Sequence, residues 1–305
     1  MGGFYMYVVT GATGHTGRVV AKALLEKGAK VRVLGRNPKL LESLASQGAE
    51  PLVVDLTDRA AITDALGGAK GAYLMLPPKL VSPDYRAFQN RVADAIAAAV
   101  KAAGVSYVVT LSSMGADKAD KTGPIIGLHY LEQQLNAIAG LNALHLRAGY
   151  FMENTLAQIA VVQKFGVAVG PLRPDLKLPM IASRDIGAVA ADALVALDFE
   201  QKQTRELLGQ RDISMDEVAE IIGRAMGRAE LGYIQAADDE IRPALIQTGM
   251  SLNMADLILE MAAALNSGYM RALEARSETN TTPTSYEIFV REELVPLYQS
   301  ESAAA

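Results

Sequence analysis

Three glycines, at positions 11, 14 and 17, lie between an apolar run and a helical pattern in the segment VVTGATGHTGRVV, residues 8–20. A residue without a side chain permits a tight turn after a strand, lets backbone N–H groups approach a pyrophosphate, and allows helix and strand to pack closely. The partial positive charge at the helix N-terminus favours the anion. The spacing is GxxGxxG, whereas ordinary dinucleotide dehydrogenases have GxGxxG. The segment therefore predicts a βαβ unit that binds a dinucleotide through Gly11, Thr13, Gly14, His15, Thr16 and Gly17, although His15 could also be a solvated first-turn residue.

Short β-branched runs alternate with helical patterns through the first half of the chain. The clearest helix covers residues 84–103, where apolar side chains recur in steps of three and four on one face: Tyr85, Phe88, Val92, Ile96 and Val100. The predicted strands are apolar almost throughout, which is typical of a parallel sheet covered by helices on both faces. This alternation predicts an α/β fold, a doubly wound parallel-sheet Rossmann domain over residues 1–165.

After residue 150 the pattern changes. Glycine and proline interrupt the segment GVAVGPLRPDLKLP, residues 166–179, and short strands and helices follow in an irregular order. We therefore expect a smaller, mostly helical α/β domain over residues 166–305, which caps the strand ends and contributes to a substrate site. Residues 184–209 could pack back on the first domain.

Composition excludes several classes of protein. Of the 305 residues 50% are hydrophobic, enough for a large core, and the net charge of −5 argues against electrostatic binding of nucleic acid or an anionic membrane. The chain has no cysteine, which excludes disulfides and thiolate metal sites. No apolar stretch reaches the ~20 residues of a membrane helix, and no secretory signal is recognisable. We expect a cytoplasmic protein with a small-molecule ligand and no bound metal.

The end of the second predicted strand indicates which dinucleotide binds. A cofactor with a free 2′-hydroxyl usually meets an Asp or Glu there, whereas a 2′-phosphate meets an Arg. The segment LGRNP, residues 34–38, offers Arg36 and no acid. A guanidinium can form two charge-assisted hydrogen bonds with phosphate oxygens. We therefore predict a preference for NADP(H) over NAD(H); the alternative is that Arg36 is a solvated turn residue.

Two later strand ends complete the predicted cofactor site. Asp55 and Leu56 end the third strand, where adenine commonly lies, and Asp55 either accepts a hydrogen bond from the adenine amino group or caps the next helix. Leu76, Pro77 and Pro78 end the fourth strand, beside the topological switch point. Their backbone could line the ribose or the nicotinamide.

Six segments carry a further pattern: GATGHTG at 11–17, GRNP at 35–38, LSSMGA at 111–116, LRAGYFMEN at 146–154, LPMIASRDIGAVAADAL at 178–194 and TPTSYEIFVRE at 282–292. Together they resemble the NmrA-like branch of the atypical short-chain dehydrogenases, which includes quinone reductase-like enzymes and NADP-sensing regulators. The resemblance covers nearly the whole chain. It implies an NAD(P)-binding Rossmann domain, a small C-terminal substrate domain and a cleft between them.

The catalytic pair of ordinary short-chain dehydrogenases is missing. These enzymes use Tyr-x-x-x-Lys, in which Lys lowers the pKa of the phenol so that Tyr can exchange a proton at neutral pH. None of the 11 tyrosines has Lys four residues later, and Tyr130, at the expected place, is followed by Gln134. The candidates for catalysis are therefore His129, whose ordinary pKa is near neutrality, Tyr130 and Ser112. Solvent exposure is the alternative for His129, and a turn or cap for Ser112.

Substrate contacts are expected at the ends of the fifth and sixth predicted strands. Ser113 could donate a hydrogen bond to a carbonyl oxygen, with a turn position as the alternative. Tyr150 and Phe151 could form an apolar wall over the nicotinamide, with packing in the core as the alternative.

Two functions fit these residues. The favoured prediction is an NADPH-dependent oxidoreductase that transfers hydride to a quinone or another conjugated carbonyl, because a reduced quinone is a fairly stable anion and depends less on a Tyr–Lys acid. The alternative is a non-catalytic NADP(H)-binding redox sensor, a regulatory protein whose contacts change with the redox state of the cofactor. A homodimer, or a protein partner for the sensor, is compatible with these predictions.

Overall fold

The computed structural model describes residues 5–304, and side chains up to residue 300. Its strands are β1 (Met6–Val9), β2 (Lys30–Gly35), β3 (Glu50–Val53), β4 (Ala69–Leu74), β5 (Tyr107–Ser113), β6 (Asn142–Ala148), β7 (Tyr150–Phe151), β8 (Ala168–Gly170), β9 (Leu178–Ile181), β10 (Lys202–Leu207), β11 (Asp212–Ile213) and β12 (Tyr233–Gln235). Its α-helices are α1 (His15–Glu26), α2 (Pro38–Ala45), α3 (Arg59–Leu66), α4 (Tyr85–Ala103), α5 (Ile126–Asn136), α6 (Gln158–Phe165), α7 (Ser183–Ala196), α8 (Met215–Ala225), α9 (Asp238–Gln247), α10 (Leu252–Asn266), α11 (Tyr286–Phe289) and α12 (Val295–Ala304).

Seven strands form one parallel sheet in the order β10-β6-β5-β4-β1-β2-β3. The chain adds β2 and β3 on one side of β1 and then adds β4, β5 and β6 on the other side. The strand order therefore reverses between β1 and β4. In open sheets of this kind ligands bind outside the carboxyl ends of the strands at such a point. The predicted doubly wound α/β fold is confirmed.

Helices cover both faces of this sheet. On one face α3, α4 and α5 bury a core that includes Val92 and Ile96. The five side chains of the stripe predicted for α4 are between 0% and 6% exposed. On the other face α1, α2 and α7 bury a core that includes Leu24 and Ile186. Within residues 5–304 we find no helix whose length and hydropathy would let it span a membrane.

A second unit is built mainly from the C-terminal half. Two small sheets, β11-β9-β7 and β12-β8, and the helices α6, α8, α10 and α11 surround a separate core with residues such as Met152, Ile222 and Phe289. The chain returns to the large sheet between these elements, since α7 packs on it and β10 pairs with β6 along its edge. Residues 183–207 thus lie on the first unit, and the division of the chain at residue 165 stays a prediction.

Two glycines, Gly17 and Gly187, let α1 pack closely against the turn after β1 and against α7. A Cβ at Gly17 would lie 2.4 Å from the carbonyl oxygen of Gly11. A Cβ at Gly187, on α7, would lie 2.6 Å from the Cβ of Val19 and 2.9 Å from the carbonyl oxygen of Thr16. Real Cβ atoms essentially never show contacts under 3.0 Å, so a larger residue at either position would move the start of α1.

Replacing Gly187 by Ala is expected to destabilise the protein. Crowding against α1 should lower the free energy of unfolding by about 1–3 kcal/mol, even though Ala is the better helix former. Urea unfolding followed by circular dichroism measures the change. Gly232→Ala is the matched control, because a Cβ there meets no atom within 4 Å, and it should shift the free energy by less than about 0.5 kcal/mol. Equal stabilities of the two variants would contradict the close packing of α1 on α7.

Candidate active site

The glycine turn joins β1 to α1 at the carboxyl edge of the large sheet. Gly11 has φ +62°, a left-handed conformation that favours glycine, and its carbonyl oxygen accepts a hydrogen bond from Gly14 N at 2.9 Å. Gly14 is the N-cap of α1 and provides no side-chain cap, so the first backbone N–H groups of the helix are open. Thr16 and Gly17 are buried, whereas His15 is exposed. The turn presents backbone donors at a positively polarised helix end, as an anion site requires.

Two charged residues lie at the ends of the neighbouring strands. Arg36 follows β2 and is exposed. The pKa of Asp55 is lowered, chiefly because its Oδ1 accepts hydrogen bonds from N and Oγ1 of Thr57, both at 2.8 Å, and further because of the positive charges of Arg36 and Lys79. These groups therefore lie near one another at one end of the carboxyl edge. Asp58, rather than Asp55, caps α3, so the carboxylate of Asp55 is not used as a helix cap.

The remaining predicted cofactor residues are mostly apolar neighbours of this edge. Leu56 and Leu76 are each 7% exposed and belong to the core beneath α4. Pro77 is half-buried and Pro78 is exposed after the end of β4. Thr13 is half-buried in the glycine turn, where its methyl group faces Gly35 at the end of β2.

A cavity of about 250 Å³ lies at the carboxyl ends of β4, β5 and β6. Among the described residues 17 line it, and none of these is charged. Five of them are predicted site residues: Leu76, Ser112, Ser113, Tyr150 and Phe151. The second unit contributes Met261 and Leu265 of α10 and also Met270. The cavity thus lies between the two units of the structure.

Ser112 lies on the cavity wall, but its hydroxyl is engaged. It donates a hydrogen bond to Glu132 Oε1 at 2.6 Å, and the Glu132 carboxylate also accepts bonds from Arg147 Nε at 3.0 Å and Nη2 at 2.6 Å. Glu132 is only 2% exposed. A buried carboxylate retains such donors strongly. Ser112 can therefore offer a ligand only an oxygen lone pair, and the hydroxyl of Ser113 is likewise directed to the carbonyl oxygen of Met114, at 3.0 Å.

The two predicted proton donors, His129 and Tyr130, do not line the cavity. His129 Nδ1 lies 2.8 Å from the carbonyl oxygen of Ala116, which can only accept, so Nδ1 carries the proton. Tyr130 donates to Asp94 Oδ1 at 2.8 Å, and this hydrogen bond raises the pKa of the phenol. The geometry thus gives neither side chain a direct path to an acceptor in the cavity. In the described part of the chain no group of three His, Asp or Glu residues could hold a metal ion.

Other polar side chains do reach the cavity. Tyr85 and Gln89 lie on successive turns of α4, on its buried face. Tyr150 and Asn154 come after the end of β6. Burial raises the pKa of Tyr85 and of Tyr150 to about 12, the latter in spite of a hydrogen bond with Asn154. Both phenols therefore stay protonated at neutral pH. Gln89 was not predicted as a site residue; the available signal in the sequence is a polar residue four positions after Tyr85 on an otherwise apolar helical face.

His145, in the middle of β6, is fully buried and structural. Its Nδ1 lies 2.7 Å from Thr110 Oγ1 and its Nε2 lies 3.0 Å from Asn136 Oδ1. The Asn oxygen can only accept, so Nε2 carries the proton and Nδ1 accepts from the Thr hydroxyl. Burial lowers the pKa of His145 to about 4, so the ring is neutral at physiological pH.

Comparison with known proteins finds relatives named as reductases that match most of the chain. A model of the NmrA-like family matches residues 6–286. The NAD(P)H azoreductase of Xenophilus azovorans is 28% identical over 267 residues, which are 87% of this chain and 89% of the relative. The (4-alkanoyl-5-oxo-2,5-dihydrofuran-3-yl)methyl phosphate reductase of Streptomyces griseus is 32% identical over 241 residues, 79% of this chain and 80% of the relative.

The fold is also shared with the solved structure of a quinone oxidoreductase. The structure of an NADPH-dependent quinone oxidoreductase from Escherichia coli, in complex with NADPH, superposes with a TM-score of 0.79 at 25% identity. The match covers 96% of this chain and 99% of that chain, so it includes both units and the cavity between them.

The buried neutral state of His145 predicts a pH-dependent stability. The pKa is about 4 in the folded chain and 6.5 in the reference state, so as pH falls below 6.5 the unfolded chain binds a proton that the folded chain excludes. The free energy of unfolding should fall between these pH values, by up to about 3 kcal/mol from this group. Urea midpoints across pH 4–7 test this. His145→Gln should flatten the profile, whereas exposed His15→Gln should not, and parallel profiles for all three proteins would refute it.

Proposed function

We infer that the chain, which belongs to the NmrA-like family, is an NADPH-dependent oxidoreductase that transfers hydride to a quinone or another conjugated carbonyl. The observation that carries this inference is the uncharged cavity on the same carboxyl edge as the glycine turn. A mostly apolar pocket with a few polar groups, at a topological switch point, suits a flat organic ring bound beside a dinucleotide. Relatives named as reductases of azo compounds and quinones support the same reaction class.

The residues present fit NADP(H). Gly14 is exposed at the glycine turn, and a Cβ there would meet only the carbonyl oxygen of Gly11, at 3.3 Å, so the turn leaves open space for a pyrophosphate. The uncapped N-terminus of α1 would hold that group. Arg36 would pair with the 2′-phosphate and Asp55 would accept from the adenine amino group. The cofactor found in the Escherichia coli quinone oxidoreductase is NADPH, which agrees with this assignment.

Reduction of a quinone requires one hydride and one proton. NADPH, when bound, supplies the hydride, which carries both electrons. The chain itself holds the acceptor in line and directs hydrogen-bond donors at the oxygen that gains negative charge. Tyr85 and Tyr150, protonated because burial raises their pKa to about 12, are donors of this kind. The proton comes from solvent, directly or through a phenol that solvent then reprotonates.

The cavity wall also indicates the charge of the acceptor. A charged group placed there would lose its hydration without meeting an opposite charge, because none of the described lining residues is charged. Neutral quinones and enones are therefore the proposed acceptors, rather than compounds with a phosphate or sulfonate inside the cavity.

The alternative, a non-catalytic redox sensor, is not favoured. It would need a cofactor site but no acceptor cavity, and the relatives described above are reductases. A cytoplasmic location and a homodimeric assembly stay part of the proposal. The cysteine-free sequence is compatible with a reducing compartment.

Arg36→Ala tests the assignment of the 2′-phosphate. Loss of a charge-assisted contact should raise the Kd of NADPH about 10- to 100-fold and leave the Kd of NADH nearly unchanged. Isothermal titration calorimetry measures both constants. Lys101→Ala is the control, because it removes an exposed positive charge from the last turn of α4, at the opposite end of the helix from the cavity. Equal losses of affinity for the two nucleotides in Arg36→Ala would count against the assignment.

A panel of acceptors tests the reaction itself. We expect the wild-type protein to oxidise NADPH with a neutral naphthoquinone, and kcat/KM to be on the order of 10-fold lower or worse when the same ring carries a sulfonate. Loss of reduced-nicotinamide absorbance gives the rates, with protein-free reactions as the blank. If no quinone or enone oxidises NADPH faster than the blank, the proposed reductase function is refuted. Equal rates for the two quinones would refute the proposed preference for neutral acceptors.

A further inference from the structure

A buried amide faces the cavity without a partner in the chain. Gln89 is 4% exposed and lines the cavity from α4. Within the described part of the chain, neither a hydrogen bond nor an ion pair engages its side chain. Buried polar groups are nearly always paired in native proteins, by the chain itself or by a molecule that reaches them. The amide therefore points to a partner that enters from outside the chain.

The hydroxyl of Tyr85 is a second free group on the same wall. Tyr85 precedes Gln89 by four residues, so the two side chains lie on one face of α4. Tyr85 is 5% exposed, and no residue in the range that the structure describes hydrogen-bonds to its hydroxyl. Its backbone is fixed, because Tyr85 N donates to Asn253 Oδ1 at 2.8 Å. This bond ties the start of α4 to α10 and holds both side chains at the cavity.

A glycine on α5 sets the position of the amide. A Cβ at Gly127 would lie 2.3 Å from both Cδ and Oε1 of Gln89 and 2.8 Å from its Cβ. The bare backbone of Gly127 therefore lets the amide lie directly against α5, and this contact limits the directions in which the amide can turn.

The remaining polar groups of the wall already have partners. Ser112 donates to Glu132, Ser113 donates to the carbonyl oxygen of Met114, and Tyr150 pairs with Asn154. Among the described side chains that line the cavity, Tyr85 and Gln89 are thus the polar ones without a partner in the chain. Since the wall carries no charge, their partner is a neutral oxygen or nitrogen acceptor.

We propose that Tyr85 and Gln89 together bind a carbonyl oxygen of the acceptor and so determine which compounds the cavity admits. The proposal rests on the proposed function and names the residues that recognise its substrate. A phenol O–H and an amide N–H can donate to the two lone pairs of one carbonyl oxygen. A ring without such an oxygen would leave both donors buried and unpaired, and sites built for a hydrogen bond reject such analogues strongly.

Equilibrium binding tests this pair independently of turnover. Calorimetry on the protein saturated with NADP⁺ gives the Kd of a neutral naphthoquinone. Gln89→Leu, which keeps the size and removes the amide, should raise that Kd about 10-fold, and Tyr85→Phe should raise it roughly 3- to 10-fold. The Kd of NADP⁺ should stay constant. Gln133→Leu, on the exposed side of α5, is the matched control and should change neither constant.

Gly127→Ala tests the position of the amide without removing it. The added methyl should displace the amide and raise the Kd of the quinone in the same direction as Gln89→Leu. In a Gln89→Ala background the effect should be smaller than in the wild type, because the displaced amide is absent and only the contact with the Cβ at position 89 remains. Melting temperatures of all variants show that they are folded.

Each result decides between distinct readings. A quinone Kd within about twofold of wild type in both Gln89→Leu and Tyr85→Phe overturns the proposal and assigns the free donors to bound water. A raised Kd for NADP⁺ with an unchanged Kd for the quinone also overturns it and assigns them to the cofactor. If the wild-type protein binds quinone with the expected variant pattern but never oxidises NADPH, the reductase is refuted and the donor pair stands.

Discussion

The contact between the start of α1 and the first turn after β1 fixes the geometry on which the site depends. Gly17 brings the helix onto the backbone of the turn, and hydrogen bonds extend this contact into the sheet. The hydroxyl of Tyr73, on β4, donates to Thr16 Oγ1 at 2.9 Å, while Thr10 Oγ1 accepts from Met75 N at 3.0 Å. β1, β4 and α1 therefore behave as one unit. The anion-binding end of the helix and the strand that leads to the cavity keep a fixed separation.

A second set of polar contacts fixes the opposite side of the cavity. The buried Glu132 joins β5, α5 and β6 through Ser112 and Arg147. The buried ion pair of Glu132 and Arg147 is weak evidence for stability, but its hydrogen bonds are directional and so orient β5, α5 and β6 relative to one another. Farther along, Glu206 on β10 accepts hydrogen bonds from the backbone N of Leu273 and Glu274, which hold the segment after α10 against the large sheet. Met270, which lines the cavity, lies just before this attachment.

The features that depend on nearby residues could be predicted from sequence. The glycine spacing predicted the turn before α1, and the alternation of short runs predicted the sheet, because both patterns are local. The position of Ser112 at a strand end was also predictable, but its bond to Glu132 depends on how α5 packs against β5. For Tyr130 the helical phase indicated a side away from the buried stripe, whereas its partner Asp94 belongs to another helix. Gln89 escapes recognition because a helical stripe is traced through its apolar members.

The methionines of the cavity lie on its acceptor side, which can change in shape without a change in the dinucleotide site. Met114, Met261 and Met270 line the acceptor side, and Met side chains are unbranched and adapt to irregular shapes. Two of the three come from the C-terminal unit, which makes no part of the glycine turn. A substitution there can reshape the acceptor space while the dinucleotide site keeps its geometry. The choice of acceptor can therefore change with few substitutions elsewhere in the structure. A single family can acquire new acceptors while its cofactor site stays the same.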